Sequence, residues 1–200
     1  MVQIQEHVPD NVERRPLFSS AVDGYEGWVA QGGSWQSSAE GSLSAGGEGD
    51  ATYTYTLWGA DLALEAEIET NQGGVGSLII RGNPSAMAGY RISLDFERKL
   101  VGFYARFPGE PDRTLQERSL DLPVETWARL KVVAQGNFFE IYVDDVLMIV
   151  YHQRLYESGC FGLHARGPIR FRNVQAYRYI GPEGVAPDWH SHCRPRHLFP

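Results

Sequence analysis

Residues 17–180 read as a train of short segments in which apolar and polar positions alternate. ATYTYTLW alternates throughout, and LALEAEIET sets Leu64, Ala66 and Ile68 against Glu65, Glu67 and Glu69. SLIIR, YRISLDF, LVGFYAR, ARLKVVA, FFEIYVDDVLMIVY, CFGLHA and IRFRNVQAYRY follow. Successive side chains on a strand point to opposite faces, so each segment predicts a strand with one apolar face. Gly, Pro, Asn and Asp separate the segments about every ten residues, the spacing of a sandwich or barrel. No stretch holds a helical period over three turns, and RLYESG reads as a single turn. FPGEPDRTLQERSLDLP reads as a hairpin connection, and VDDVL as a tight hairpin turn at Asp144 and Asp145. The predicted fold is all-β, an antiparallel two-sheet sandwich.

Residues 1–16 are polar and aperiodic and read as a flexible arm. After Tyr179 the composition shifts: GPEGVAP reads as a linker, and DWHSHCRPRHLFP does not resemble a sandwich strand, so residues 181–200 are set apart as a tail.

Composition narrows the picture. An apolar share of 42% is enough for a core and excludes a disordered chain. A formal net charge of −7 argues against nucleic acid and against anionic membranes, which both call for basic surfaces. No apolar run is long enough to span a bilayer, and the N-terminus lacks the apolar stretch of a secretory signal. The expectation is a cytoplasmic protein if the chain is complete, or a secreted one if it is a piece of a longer chain. Of the two cysteines, Cys160 lies in an apolar strand and is expected as a buried free thiol, while Cys193 falls in the tail. Trp28, Trp35, Trp58 and Trp127 sit at strand ends. Most are expected in the core, with Trp58, before Gly59, exposed at a rim.

The order of the segments GYEGWVAQGGSWQ, LEAEIE, GVGSLIIRG, GYRISLD, FFEIYVDDVLMI, ESGCFGLHA and FRNV resembles a concanavalin A-like jelly-roll sandwich. More narrowly it resembles the family 66 carbohydrate-binding module, the fructan-binding sandwich attached to levanases of glycoside hydrolase family 32. It is also similar to the sandwich domain of keto-disaccharide hydrolases. The resemblance spans residues 18–179 and implies a small-sugar site on one face, with no chemistry of its own. The matching positions are Glu65, Arg81, Tyr90 and Asp95. The fructan module also carries an aromatic residue after its G-x-F-G-L strand, where this chain has His164, Ala165 and Arg166.

Each candidate has a bland alternative. Glu65, Glu67 and Glu69 share a face and repel one another, so Arg81 is expected to offset them, and a carboxylate beside a guanidinium supplies acceptors and donors for sugar hydroxyls. Solvated charges on an exposed sheet would look the same. Tyr90 suits stacking on a sugar ring, yet it alternates with Ile92 and Leu94 as a core residue would. Family 16 glucanases carry a nucleophile and an acid on one strand of a similar sandwich with an Asp between; here Glu67 stands in its place, and Glu65 with Glu69 is the catalytic alternative. A laminin-G-type interaction domain is the third reading. No metal or cofactor is called for. His190, His192, Cys193 and His197 lack a second ligand pair of suitable spacing. Asp50, Asp61 and Asn173 offer oxygens for a structural calcium but form no ligand series. RPRHLFP is loosely similar to the start of a family 32 catalytic domain, though the aromatic before His197 is missing. The expected partners are a carbohydrate and a covalently linked hydrolase domain.

Overall fold

The computed structural model describes residues 13–46, 49–85 and 87–180. Its strands are β1 (Glu13–Ser19), β2 (Trp28–Gln31), β3 (Ser34–Ser37), β4 (Leu43–Gly46), β5 (Asp50–Gly59), β6 (Leu62–Thr70), β7 (Val75–Asn83) and β8 (Ala88–Asp95). They continue with β9 (Leu100–Arg106), β10 (Arg113–Ser119), β11 (Ala128–Gln135), β12 (Phe138–Val143), β13 (Val146–His152), β14 (Gly159–Arg166) and β15 (Ile169–Ile180). One helical turn, α1 (Ser20–Asp23), interrupts them.

The strands form two antiparallel sheets. One has seven strands in the order β10-β9-β8-β7-β14-β5-β2. The other has eight, in the order β13-β12-β11-β6-β15-β4-β3, with β1 also paired to β15. Chain neighbours such as β5 and β6 lie in different sheets, so the chain crosses repeatedly from layer to layer, as in a jelly roll. The strand-rich, two-sheet reading of the sequence holds.

The core lies between the layers and follows the alternation. Leu64, Ala66 and Ile68 of β6 face Leu78 and Ile80 of β7 and Ile92 and Leu94 of β8, all essentially without exposure. A ring cluster of Phe18, Trp28, Tyr55 and Phe161 fills one end. Tyr90, Phe103 and Phe139 fill another part, with centroids 4.8–5.4 Å apart. Trp35 stacks on Tyr53, while Trp58 is 55% exposed, as its place before Gly59 suggested. Cys160 is buried and unbridged, and burial pushes its thiol up to about 11.

The VDDVL hairpin forms as expected. Asp144 and Asp145 both take positive φ (48° and 65°), the requirement of a two-residue turn that matches strand twist. Three local readings differ. β1 begins at Glu13, inside the segment read as an arm; residues 1–12 lie outside the described residues. The expected connection 107–123 contains strand β10, an edge strand whose mixed residues hid its period. Residues 181–200, with the linker, the histidines and Cys193, lie outside the described residues.

Candidate functional site

The outer face of the seven-stranded sheet carries a row of small polar residues. Thr52 of β5 pairs with His164 of β14, His164 with Ser77 of β7, Ser77 with Ser93 of β8, and Ser93 with Gly102 of β9. Alternation puts all five on the face opposite the core. Ser77 and Ser93 share a hydrogen bond of 2.9 Å. Because the row is short in side chain, it forms a trough, and larger groups close over it: Arg91 and Tyr104 on one side, Asp50 and Arg166 on the other. His164, Ser77, Ser93 and Thr52 are thereby almost wholly buried although they point away from the core.

The loop after β9 builds the outer wall. Phe107, Gly109, Glu110, Pro111 and Asp112 bound an open cleft of about 410 Å³, whose floor and opposite wall are Asp50, Arg91, Arg106 and Arg166. That volume lies in the small-ligand range, roughly 300–1,000 Å³. A smaller recess of about 100 Å³ continues from it to His164, Ser93, Asp95, Arg98 and Tyr104. A groove of similar size, about 420 Å³, runs over the other sheet past Arg15, Asp61 and Arg178. Its arginines are exposed, whereas the cleft keeps the Arg106 guanidinium buried.

The cleft is polar and incompletely satisfied. Arg91 Nη2 pairs with Asp112 Oδ2 at 2.8 Å, and Arg106 Nε lies 3.8 Å from Asp112 Oδ1. His164 Nε2 stands 3.3 Å from Asp50 Oδ1, too poorly aligned for a hydrogen bond. Both ring nitrogens of His164 and the Nε groups of Arg91 and Arg106 are buried without a hydrogen-bond partner. Buried polar groups without partners cost about 1–3 kcal/mol each, so a ligand that fills them gains that much.

Burial, reinforced by the neighbouring Arg91 and Arg106, holds the His164 imidazole below its usual 6.5, against the pull of Asp50. His164 in turn holds the Asp50 carboxyl below the usual carboxylate range. Burial pushes the Tyr104 hydroxyl, which donates to Glu117 at 2.7 Å, up to about 12. The folded chain keeps His164 neutral where an unfolded chain takes up a proton, so stability falls as pH drops through about 6.5. The Asp50 contribution has the same sign, present above the unfolded carboxylate value and lost only at far lower pH as the carboxyl protonates. The urea midpoint is expected to be lower at mildly acidic than at neutral pH, with His164→Gln shrinking the difference. Equal midpoints at the two pH values would refute this.

The sequence-based candidates are distributed over three places. Arg166 and Asp95 line the cleft and its recess. Asp95 Oδ1 also accepts from the Glu97 and Arg98 backbone N–H groups, shaping the β8–β9 turn. Glu65 lies on the outer face of the opposite sheet and accepts from the Tyr177 hydroxyl at 3.2 Å. Tyr90 is fully buried, so it offers no face to a sugar; its hydroxyl accepts from the Tyr156 N–H. Arg81 is also buried and meets none of the three acids. It donates to the carbonyls of Ala60, Tyr156 and Gly136, and stacks on Phe139. The expectation that Arg81 offsets the acidic face is corrected: Arg172 and Asn173 hold Glu67 at 2.6 and 2.8 Å, and Arg170 holds Glu69. The bulge at Arg81 is the cause, because its positive φ of 51° turns a side chain that alternation assigns outward into the core.

Asp50, Asp61 and Asn173 lie apart, beside His164, Arg81 and Glu67 respectively. Among the described residues no group of three or more His, Cys, Asp or Glu could hold a metal ion. Sequence reasoning missed Arg91, Arg106, Asp112 and Tyr104. Arg91 was within reach, since it alternates with Tyr90 and Ile92. Asp112 was not, because only the folded loop brings it to the sheet.

The levanase of Bacillus subtilis (strain 168) is 30% identical over 141 residues, which cover 69% of this chain and 20% of levanase. The chain thus matches about a fifth of that relative's length. The carbohydrate binding module CBM66 from Bacillus subtilis has a TM-score of 0.71 at 29% identity, over 76% of this chain and 95% of the module. The β-glucanase of Bacillus licheniformis shares the fold alone, with a TM-score of 0.58 and 12% identity over 84% of this chain and 98% of the enzyme. The description 3-keto-alpha-glucoside-1,2-lyase-like domain belongs to the family whose profile matches residues 14–176, nearly the whole sandwich, and the chain is a member of that family.

Proposed function

We propose that this chain is a carbohydrate-binding module and that the cleft between Asp50, Arg91, Arg106 and Arg166 holds the sugar. The observation that carries the reading is the set of buried, unfilled donors and nearby carboxylates at the cleft. Sugar hydroxyls both donate and accept, so they can satisfy the arginine Nε groups and Asp50 together. Phe107 and Tyr104 add apolar surface beside these groups, in keeping with sugar C–H packing. The likeness to CBM66 and to part of levanase supports a levan-type fructan or a related glycan as ligand, and an attached glycoside hydrolase as the module's partner.

Retardation in gels containing levan, inulin or laminarin tests this, alongside assay of released reducing sugar. The expected result is retardation without sugar release. Arg91→Ala is expected to weaken binding about tenfold or more, roughly 1.4 kcal/mol, while Glu65→Gln on the opposite sheet leaves it unchanged. Sugar release abolished by Glu65→Gln would replace this reading with the catalytic one. Neither retardation nor release would leave a protein-interaction sandwich. The arrangement of Glu69 gives the catalytic reading little support, because Arg170 already occupies its carboxylate.

A further inference from the structure

The cleft holds three guanidinium groups, of Arg91, Arg106 and Arg166, and three carboxylates, of Asp50, Glu110 and Asp112, but they are unevenly matched and Arg106 has no carboxylate at close range. Asp112 stands between Arg91 and Arg106, so one acid serves two cations. Asp50 is the second acid, drawn toward His164, and Arg166 adds a third guanidinium at the rim. Glu110 lies on the loop wall, facing the same opening. The Arg106 side chain is only 9% exposed, yet it has Asp112 only at 3.8 Å, and its Nε donor is unfilled. A buried guanidinium that shares its counter-ion carries an uncompensated desolvation cost. A neutral hydroxyl fills a donor but leaves the charge in place. An anionic oxygen does both, through the shorter charge-assisted bonds that guanidinium groups make with planar or tetrahedral anions.

We infer that, among the glycans the cleft admits, it selects those carrying an anionic group, a carboxylate as in a uronic acid or an equivalent sulfate, presented to Arg106 and Arg91. This inference rests on the carbohydrate reading of the same cleft. A neutral fructan is then the weaker ligand of the two kinds.

Calorimetric titration of the full chain with matched pairs tests it: methyl glucoside against methyl glucuronide, and methyl galactoside against methyl galacturonide and galactose 6-sulfate. The acidic member of a pair is expected to bind about tenfold tighter or better at low salt, an advantage that shrinks as salt screens the charges. Tight uronide with weak sulfate identifies a carboxylate as the group, the converse identifies a sulfate, and either supports the inference. Arg106→Gln is expected to abolish the preference. Should that variant fail to fold by near-ultraviolet circular dichroism, Arg166→Gln, which changes an exposed side chain, is expected to cut the preference several-fold. Neutral and acidic members bound equally well would overturn the charge selection and leave the sugar site standing. No binding of any saccharide, levan included, would overturn the sugar site and this inference with it.

Discussion

Arg81→Ala is expected to lower the free energy of unfolding by about 3–5 kcal/mol, among the largest effects of any single substitution in the chain. The side chain is 2% exposed and its guanidinium donates to three carbonyls, Ala60 at 2.9 Å, Tyr156 at 3.1 Å and Gly136 at 2.6 Å. These carbonyls come from three separate loops: the β5–β6 turn, the β13–β14 connection and the β11–β12 hairpin. Arg81 is therefore a staple joining one end of both sheets, and Asp61, 3.5 Å away, balances its charge. Alanine leaves three carbonyls without their donor and opens a void beside Phe139. Arg81→Lys is expected to recover only part of the loss, since a lysine ammonium cannot reproduce the planar fork. Urea unfolding monitored by tryptophan fluorescence measures it. A loss under about 1 kcal/mol would show that water replaces the guanidinium and that the staple has little weight.

Gly159→Ala is expected to cost about 3 kcal/mol by overpacking. A Cβ at this position would stand 2.4 Å from the Arg81 carbonyl carbon and 2.5 Å from the Gly82 oxygen. Those are backbone atoms of the adjacent strand, which no side-chain rotation can move, so β14 must separate from β7. The contrast is Gly109, where a Cβ meets nothing within 4 Å. Gly159 packs on the same bulge that aims Arg81 inward, so the two substitutions damage one junction. The double variant is expected to be less destabilised than the sum of the singles, by about 1 kcal/mol or more. Additive losses would mean that the close approach at Gly159 and the Arg81 staple are separate devices.

Much of the architecture was legible because alternation is a local property. Leu64, Ala66 and Ile68 face the core and Glu65, Glu67 and Glu69 face away for the reason visible in LALEAEIET, and Asp144 and Asp145 turn where two short acidic residues permit positive φ. The edge strand β10 was not legible. Its residues are mixed and half-exposed, so no apolar period marks it. The site was legible in part. Alternation of Arg91, Ser93 and Asp95 against Tyr90, Ile92 and Leu94 separates a polar face from a core face, and that pattern alone puts Tyr90 inside.

Local alternation and turn residues alone set the two-faced strands, the positions of most turns, and hence the layered class of fold. Which polar groups meet is set by the pairing of strands far apart in the chain. Which strand lies beside which is a long-range matter: β14 joins β5 and β7, and so brings His164 to Asp50 and Ser77 across more than eighty residues of chain. A bulge at Arg81 reverses the direction that strand periodicity assigns to it, because one left-handed residue shifts the pleat. The acidic face finds its cations on β15 rather than on β7 for the same reason: pairing order sets charge neighbours, and no local pattern encodes pairing order.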